Sequence, residues 1–293
     1  NNKFDNPTNN GWVVKFKKEN KMKNLFIPFK NVDSKTYMII GLFHFAWIFA
    51  FLQLFSTSLI PAPIDVLFSL KKFLLSKDFY ENFATTFLFT LKGVGIATLI
   101  SLPISYLFFM SFFKQLSLLS TKLRYLSMAG IAFVFTILFK VDTDIKMSLI
   151  LFGIIPFFVT SLIASFSDNI NEKLDLCRVN RFNNFETLKE VVIIGKLDQV
   201  FEIIRQNFAI CWIVITFAET KCMGQGGLGT LLLKNEKTIR MEDVFAIQLV
   251  VLFTGVLFDQ FFQIIRYVVF EYAYLASKKK IWIVDLFNKT KKK

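Results

Sequence analysis

The chain has 293 residues, of which 54% are hydrophobic, 17% aromatic and only 19% charged, with a mean hydropathy of +0.50. That balance is too apolar for an ordinary soluble domain of this length, so the chain requires a lipid solvent. The formal charge of +13 is spread over tails and over loops between apolar runs, not gathered on one soluble face, which excludes a nucleic-acid surface.

In chain order, residues 1–36 form a basic tail with eight lysines and no continuous apolar core, so no cleavable signal sequence is expected. A bilayer crossing needs about 20 mostly apolar residues. Such stretches lie at 37–56, 84–109, 123–139, 147–166, 208–218 with its flanks, and 244–269. They predict an all-α transmembrane protein with about six membrane-spanning helices, a membrane domain over 37–275 and a second basic tail over 276–293. The third stretch is short, and the fifth runs into Glu219 and Lys221, which points to a tilted or broken helix. The aromatic segment 281–287 is expected on the inner leaflet.

Orientation follows from Lys and Arg near the spans. With the N-terminus inside, the inner segments collect 25 of these residues and the outer ones nine, Lys146 being counted among the outer nine. An even number of spans then places both termini in the cytoplasm. The longest inner loop, 167–207, has one glycine, Gly195, and apolar residues recurring at helical spacing. It reads as two amphipathic helices, about 172–179 and 185–207, around a polar turn at Asn183 and Asn184. Such helices either lie on the inner leaflet, with basic residues on lipid phosphates, or dock a soluble partner.

Single residues carry less. Cys177, Cys211 and Cys222 are too far apart for a zinc or redox motif and read as small buried hydrophobes. His44 has no second histidine with which to hold a metal. Lys92 falls well inside the second span, where it either pairs, snorkels to the interface or lines an anion pathway. Glu219 ends the fifth span, solvated or lining a vestibule, and is the other candidate pathway residue. Asp259 and Gln263 share a helix face near Arg266 and read as polar glue between helices. The glycine run 224–229 follows a membrane helix, not a strand, so it is no nucleotide loop. It is either a simple turn or a flexible or closely packed outer gate segment. No phosphate-loop sequence occurs, so the chain is not expected to hydrolyse ATP or to bind a cofactor.

Several ordered pieces over 60–272 resemble one family. These are Ile60-Pro61-Ala62-Pro63, Gly93 and Pro103 in the second span, Ala218-Glu219, and Gly226-Gly227-Leu228-Gly229, with one residue more than usual between the last two. Phe245-Ala246-Ile247, Gly255 and Asp259 follow in the final span. The chain resembles the permease subunits of bacterial ABC importers of the nitrate, sulfonate and taurine group. The family's coupling motif has a glycine four residues after Glu-Ala-Ala and an apolar tail. Here that frame reads Asp175-Leu176-Cys177, then Arg178, Arg181 at the glycine position, Phe182, Asn183, and Val192-Ile193-Ile194.

The resemblance implies a type I ABC importer permease bundle in the plasma (inner) membrane, moving a small solute and coupled through 167–207, as a cytoplasmic coupling helix, to an ATPase dimer that binds ATP and Mg. It further implies a second permease copy or paralogue and an extracytoplasmic solute-binding protein. The rival from another class is a secondary transporter or channel without an ATPase, which would show internal repeats or dense intramembrane charge.

Overall fold

The computed structural model describes residues 34–57 and 60–270. Both basic tails and the aromatic segment 281–287 lie wholly or almost wholly outside the described residues. The chain divides into two units, Asn1–Ser56 and Thr57–Lys293. In the first, α1 (Ser34–Leu54) is apolar all round. Rings one turn apart support it: Trp47 and Phe51 stack at 5.8 Å, and Phe51 and Phe55 lie 4.6 Å apart. His44 Nδ1 lies 2.7 Å from the carbonyl of Ile40, so the helix backbone itself satisfies the imidazole.

The second unit is helical throughout, with no strand among the described residues. Its order is α2 (Pro63–Leu74), α3 (Lys77–Leu107), α4 (Lys114–Lys122), α5 (Met128–Leu138), α6 (Asp142–Ser167), α7 (Ile170–Val179), α8 (Asn184–Thr187), α9 (Leu197–Lys221), α10 (Leu228–Lys237) and α11 (Met241–Val269). Pro63 starts α2 at a position where its missing N–H costs no helical bond. Helices α1, α3, α6, α11 and the run that ends in α9 are each long and apolar enough to cross a bilayer. The chain is therefore a multi-pass membrane protein.

The third expected span differs from a straight helix. A 3-10 turn (Leu123–Tyr125) follows α4, and the chain then bends by 105° into α5. At 1.5 Å per residue the 11 residues of α5 rise only about 17 Å, short of a hydrocarbon core of about 30 Å. Topology nevertheless makes this segment the return path, because α3 and α6 run parallel. Phe89 of α3 lies beside Lys146 near the start of α6, and Tyr106 stacks on Phe166 at 5.3 Å near the end of both. Counting the bent pair as one passage gives six candidate crossings.

Helix α9 runs antiparallel to both, with Gln199 accepting from Ser165 Oγ at 2.6 Å and Glu219 beside Lys146. The core of the unit lies where α3, α6 and α9 meet, around the fully buried Leu149, Ile150, Ile154, Phe158 and Ile215. Glycine makes the α3–α6 approach possible: a Cβ on Gly93 would stand 2.6 Å from Ile150 Cγ2. Helix α11 packs on α9 through Phe258 against Phe208, and Trp212 Nε1 donates to the carbonyl of Val251 at 3.0 Å.

The fifth span is not broken within the membrane-length stretch: α9 is continuous over 25 residues. The irregularity lies before it. The expected helix 185–207 is divided into α8, a π segment (Leu188–Ile193), a 3-10 turn (Ile194–Lys196) and the start of α9. Gly195 marks the junction because a Cβ there would meet the Glu190 carbonyl oxygen at 2.9 Å. All three cysteines are free and buried, as their apolar settings require.

Replacing Gly93 by Leu should lower stability by about 1–3 kcal/mol through overpacking against Ile150. Gly95→Ala, where no atom lies within 4 Å, should instead raise it by up to about 1 kcal/mol through helix propensity. Thermal unfolding of the purified protein in detergent measures both.

Candidate functional site

Two places in the second unit gather polar chemistry. The first lies under the glycine run. Lys146 Nζ is 2.9 Å from Glu219 Oε1, and both side chains have no exposed surface. A lone buried charge of either sign would cost several kcal/mol, and the pair persists because its remaining valences are filled. Thr86 Oγ1 lies 2.9 Å from both carboxylate oxygens, and Gly229 N–H donates to Oε2 at 2.9 Å. The ammonium also faces the Phe89 ring, 4.3 Å from its centroid.

The glycine run is built onto this pair. Leu228 N–H donates to Thr86 Oγ1 at 2.8 Å, and Gly227 N–H donates to Asn82 Oδ1 at 2.6 Å. Lys146 Nζ reaches the Gly226 carbonyl at 3.5 Å. Glu219 thus sits at the N-terminus of α10, where unpaired amides and the helix dipole favour an anion. Gly226 and Gly227 have φ of 67° and 119°, and a Cβ on Gly227 would fall 2.2 Å from the Glu219 carboxyl. A Cβ on Gly229 would fall 2.1 Å from the Thr216 carbonyl oxygen. The run is therefore a closely packed segment and not a simple turn.

At its start, Cys222 is 3% exposed, and burial together with the nearby Asp142 carboxylate pushes its thiol above the ordinary range. Gln225 Nε2 donates to Thr143 Oγ1. No group of three His, Cys, Asp or Glu side chains among the described residues could hold a metal.

The two candidate pathway residues are placed differently from one another. Lys92 is exposed on α3, off the face that carries Gly93 and Ala97, with Nζ 6.0 Å from the Phe89 centroid. Glu219 is sealed in the core. Its partner Lys146 escaped the sequence reading because it stands one residue before an apolar stretch and passes as a loop cation. The available signal was a single Glu and a single Lys at adjoining ends of two apolar runs.

The second place is the 167–207 loop. Helix α7 ends in a Schellman turn, with Phe182 N–H donating to the Cys177 carbonyl and Arg181 N–H to that of Arg178, both at 3.1 Å. Arg181 holds the left-handed position of that turn at φ 56°. Asn183 then caps α8 in a reciprocal box with Glu186, its own N–H donating to Glu186 Oε2 at 2.8 Å. Asp175 and Arg178 pair at 2.9 Å on the exposed side, with Leu176 and Phe182 also outward, while Cys177 faces inward. Asp175 to Asn183 thus run without a break from the last turns of α7 through its closing turn to the cap of α8. Under it, Met110, Ile170, Leu174, Phe185, Leu188 and Val192 line part of a largely apolar cavity of about 400 Å³. The buried Lys196 donates to the Asp168 carbonyl at 3.2 Å and ties the loop's far end to the end of α6.

Asp259 does act between helices, and Gln263 supports it from within α11. Arg205 of α9 bonds Asp259 and Glu202, while Arg266 of α11 contacts Glu202 at 2.8 Å and Asp198 at 3.6 Å. Gln263 Nε2 donates to Asp259 Oδ2 at 2.9 Å. No protein-family model and no curated protein matches the chain.

Glu219→Gln leaves Lys146 buried without a counter-charge and should cost about 3–5 kcal/mol. Lys146→Met should cost a similar amount. The double variant should be less destabilised than the sum, so a double-mutant cycle by chemical or thermal unfolding should give a favourable coupling between the two positions.

Proposed function

We propose that the chain is the transmembrane permease subunit of an ABC importer, moving a small solute of the nitrate, sulfonate or taurine kind. Two copies, or this chain and a paralogue, enclose the path, and an extracytoplasmic binding protein delivers the solute. Hydrolysis of ATP takes place on a separate ATPase dimer, and the 167–207 loop faces that dimer in the cytoplasm of a plasma-membrane assembly.

The observation that carries this reading is the loop's construction. A short helix, α7, presents Asp175, Leu176 and Arg178 outward and is closed by a turn with Arg181 in the left-handed position. That is the position at which the resembled motif places glycine, the residue that adopts such a φ at no steric cost. From this turn the chain runs through α8, the π segment and a 3-10 turn into α9, so a force on the turn has a short covalent route into the bundle. The rival transporter class would draw on intramembrane charge, and the Lys146–Glu219 pair is such charge. Its valences are closed internally, which favours a holding role over an ion relay.

Affinity isolation of the tagged chain from its native membrane should recover a nucleotide-hydrolysing subunit. Exchanging the exposed pair by Asp175→Arg with Arg178→Asp keeps an i,i+3 ion pair but inverts the field it presents. The exchanged protein should remain folded and lose that subunit at least severalfold. Recovery of no ATPase with the unmodified chain, under conditions that preserve membrane assemblies, would sink the proposal. Separately, Arg181→Gly should raise the unfolding free energy by about 1 kcal/mol by relieving the left-handed strain.

A further inference from the structure

The segment 222–229, from the end of α9 into the first residues of α10, is attached to the bundle in an unusual way. Four of its seven residues from 223 to 229 are glycine, and Leu228 is its one fully buried apolar side chain. Apolar burial therefore contributes little to holding it. Its backbone N–H groups at Gly227, Leu228 and Gly229 donate to side chains of Asn82, Thr86 and Glu219, and its Gly226 carbonyl accepts from Lys146. Three of these four side chains are themselves joined: Thr86 bonds Glu219, and Glu219 pairs with Lys146. Removing any one member strands others in a buried, low-dielectric place, so the contacts form and fail together.

We infer that the Lys146–Glu219–Thr86 cluster is a lock on residues 222–229, which open as a unit and uncover Cys222 when the cluster lets go. The glycines give the piece its path, with Gly226 and Gly227 at positive φ in its middle and Gly229 too close to the Thr216 carbonyl to carry a Cβ. Cys222 is the natural reporter. It is a free thiol, 3% exposed, at the first position of the locked segment, directly after α9. The other two thiols sit elsewhere: Cys211 is within the α3–α6–α9 core against the Thr90 carbonyl, and Cys177 is on α7. The lock stands whether or not an ATPase binds the opposite end of the bundle, so it does not depend on the proposed transport role.

The test is modification of the full chain in lipid nanodiscs by N-ethylmaleimide at fixed pH, with the rate at each cysteine read by peptide mass spectrometry. Thr86→Val keeps the side-chain volume and removes the hydroxyl that bridges Leu228 N–H and Glu219. Stranding a buried amide in this way shifts an opening equilibrium about tenfold or more, so Cys222 should be modified at least ten times faster. Asp259→Asn, which loosens the Arg205 contact far along α9, should leave that rate within about twofold of the unmodified protein.

An unchanged Cys222 rate in Thr86→Val, or an equal rise in both variants, would overturn the lock. Should Thr86→Val fail to give a monodisperse protein, hydrogen exchange of the unmodified chain decides. The amides of Gly227, Leu228 and Gly229 should exchange with one common opening constant, and three separate constants would overturn the proposal.

Discussion

A lysine and a glutamate that meet with no solvent contact set the terms for everything around them. Neither charge is tolerable alone in an apolar bundle, so the helices that carry them, α6 and α9, must come together at one depth and in one rotation. The carboxylate has lone pairs beyond the one Lys146 uses. Thr86 of α3 and the Gly229 amide of α10 take these, which places two further elements. The glycine run follows as a consequence: backbone can approach a carboxylate this closely only where there is no Cβ. One ion pair thereby specifies the packing of three long helices and the path of the chain between α9 and α10.

Helix α9 is the element on which both ends of the unit act. Its 25 residues extend about 37 Å, with Glu219 at one end and Asp198, Glu202 and Arg205 toward the other. At the second end the contacts are of a different kind. Arg205 and Arg266 share Glu202, and these groups keep some solvent contact, so they are screened and individually weaker than the sealed pair. The loop that enters α9 does so through a π segment and a 3-10 turn, geometries with poorer hydrogen bonding than an α-helix. The unit is accordingly held more strongly where Lys146 and Glu219 sit than where the 167–207 loop joins it.

The helical class and most of the long apolar stretches could be read from residue order, because a helical crossing demands about 20 continuous apolar residues and a helix satisfies its backbone within that one segment. The bend between α4 and α5 could not. Ser127, the N-cap of α5, and Gly130 mark a helix start there but set no angle, and α5 then lies against α6 with Phe135 edge-on to Phe152. Lys92 drew attention for standing inside an apolar run, yet it is exposed, whereas Lys146 looked like a loop cation and is sealed. Sequence position reports depth along a helix. Which side of the helix a residue takes depends on neighbours that are distant in the chain. The glycine run shows the same limit, since its tight packing depends on Glu219 and Thr86 being brought to it from two other helices.

Arg181 shows where a signature residue and the geometry behind it separate. The left-handed φ at the end of α7 is required by the Schellman hydrogen bonds from Phe182 and Arg181 back to Cys177 and Arg178. Glycine meets that requirement freely, and any other residue meets it at about 1–2 kcal/mol. The chain keeps the turn with arginine because its surroundings over-determine it: α7 is closed by two backbone bonds, and two residues later Asn183 and Glu186 cap α8 reciprocally. A guanidinium placed there adds a cation to the outward face that already carries the Asp175–Arg178 pair. A partner for this turn would therefore meet the geometry of a glycine turn with the charge of a basic one. Its own surface should be acidic opposite Arg181.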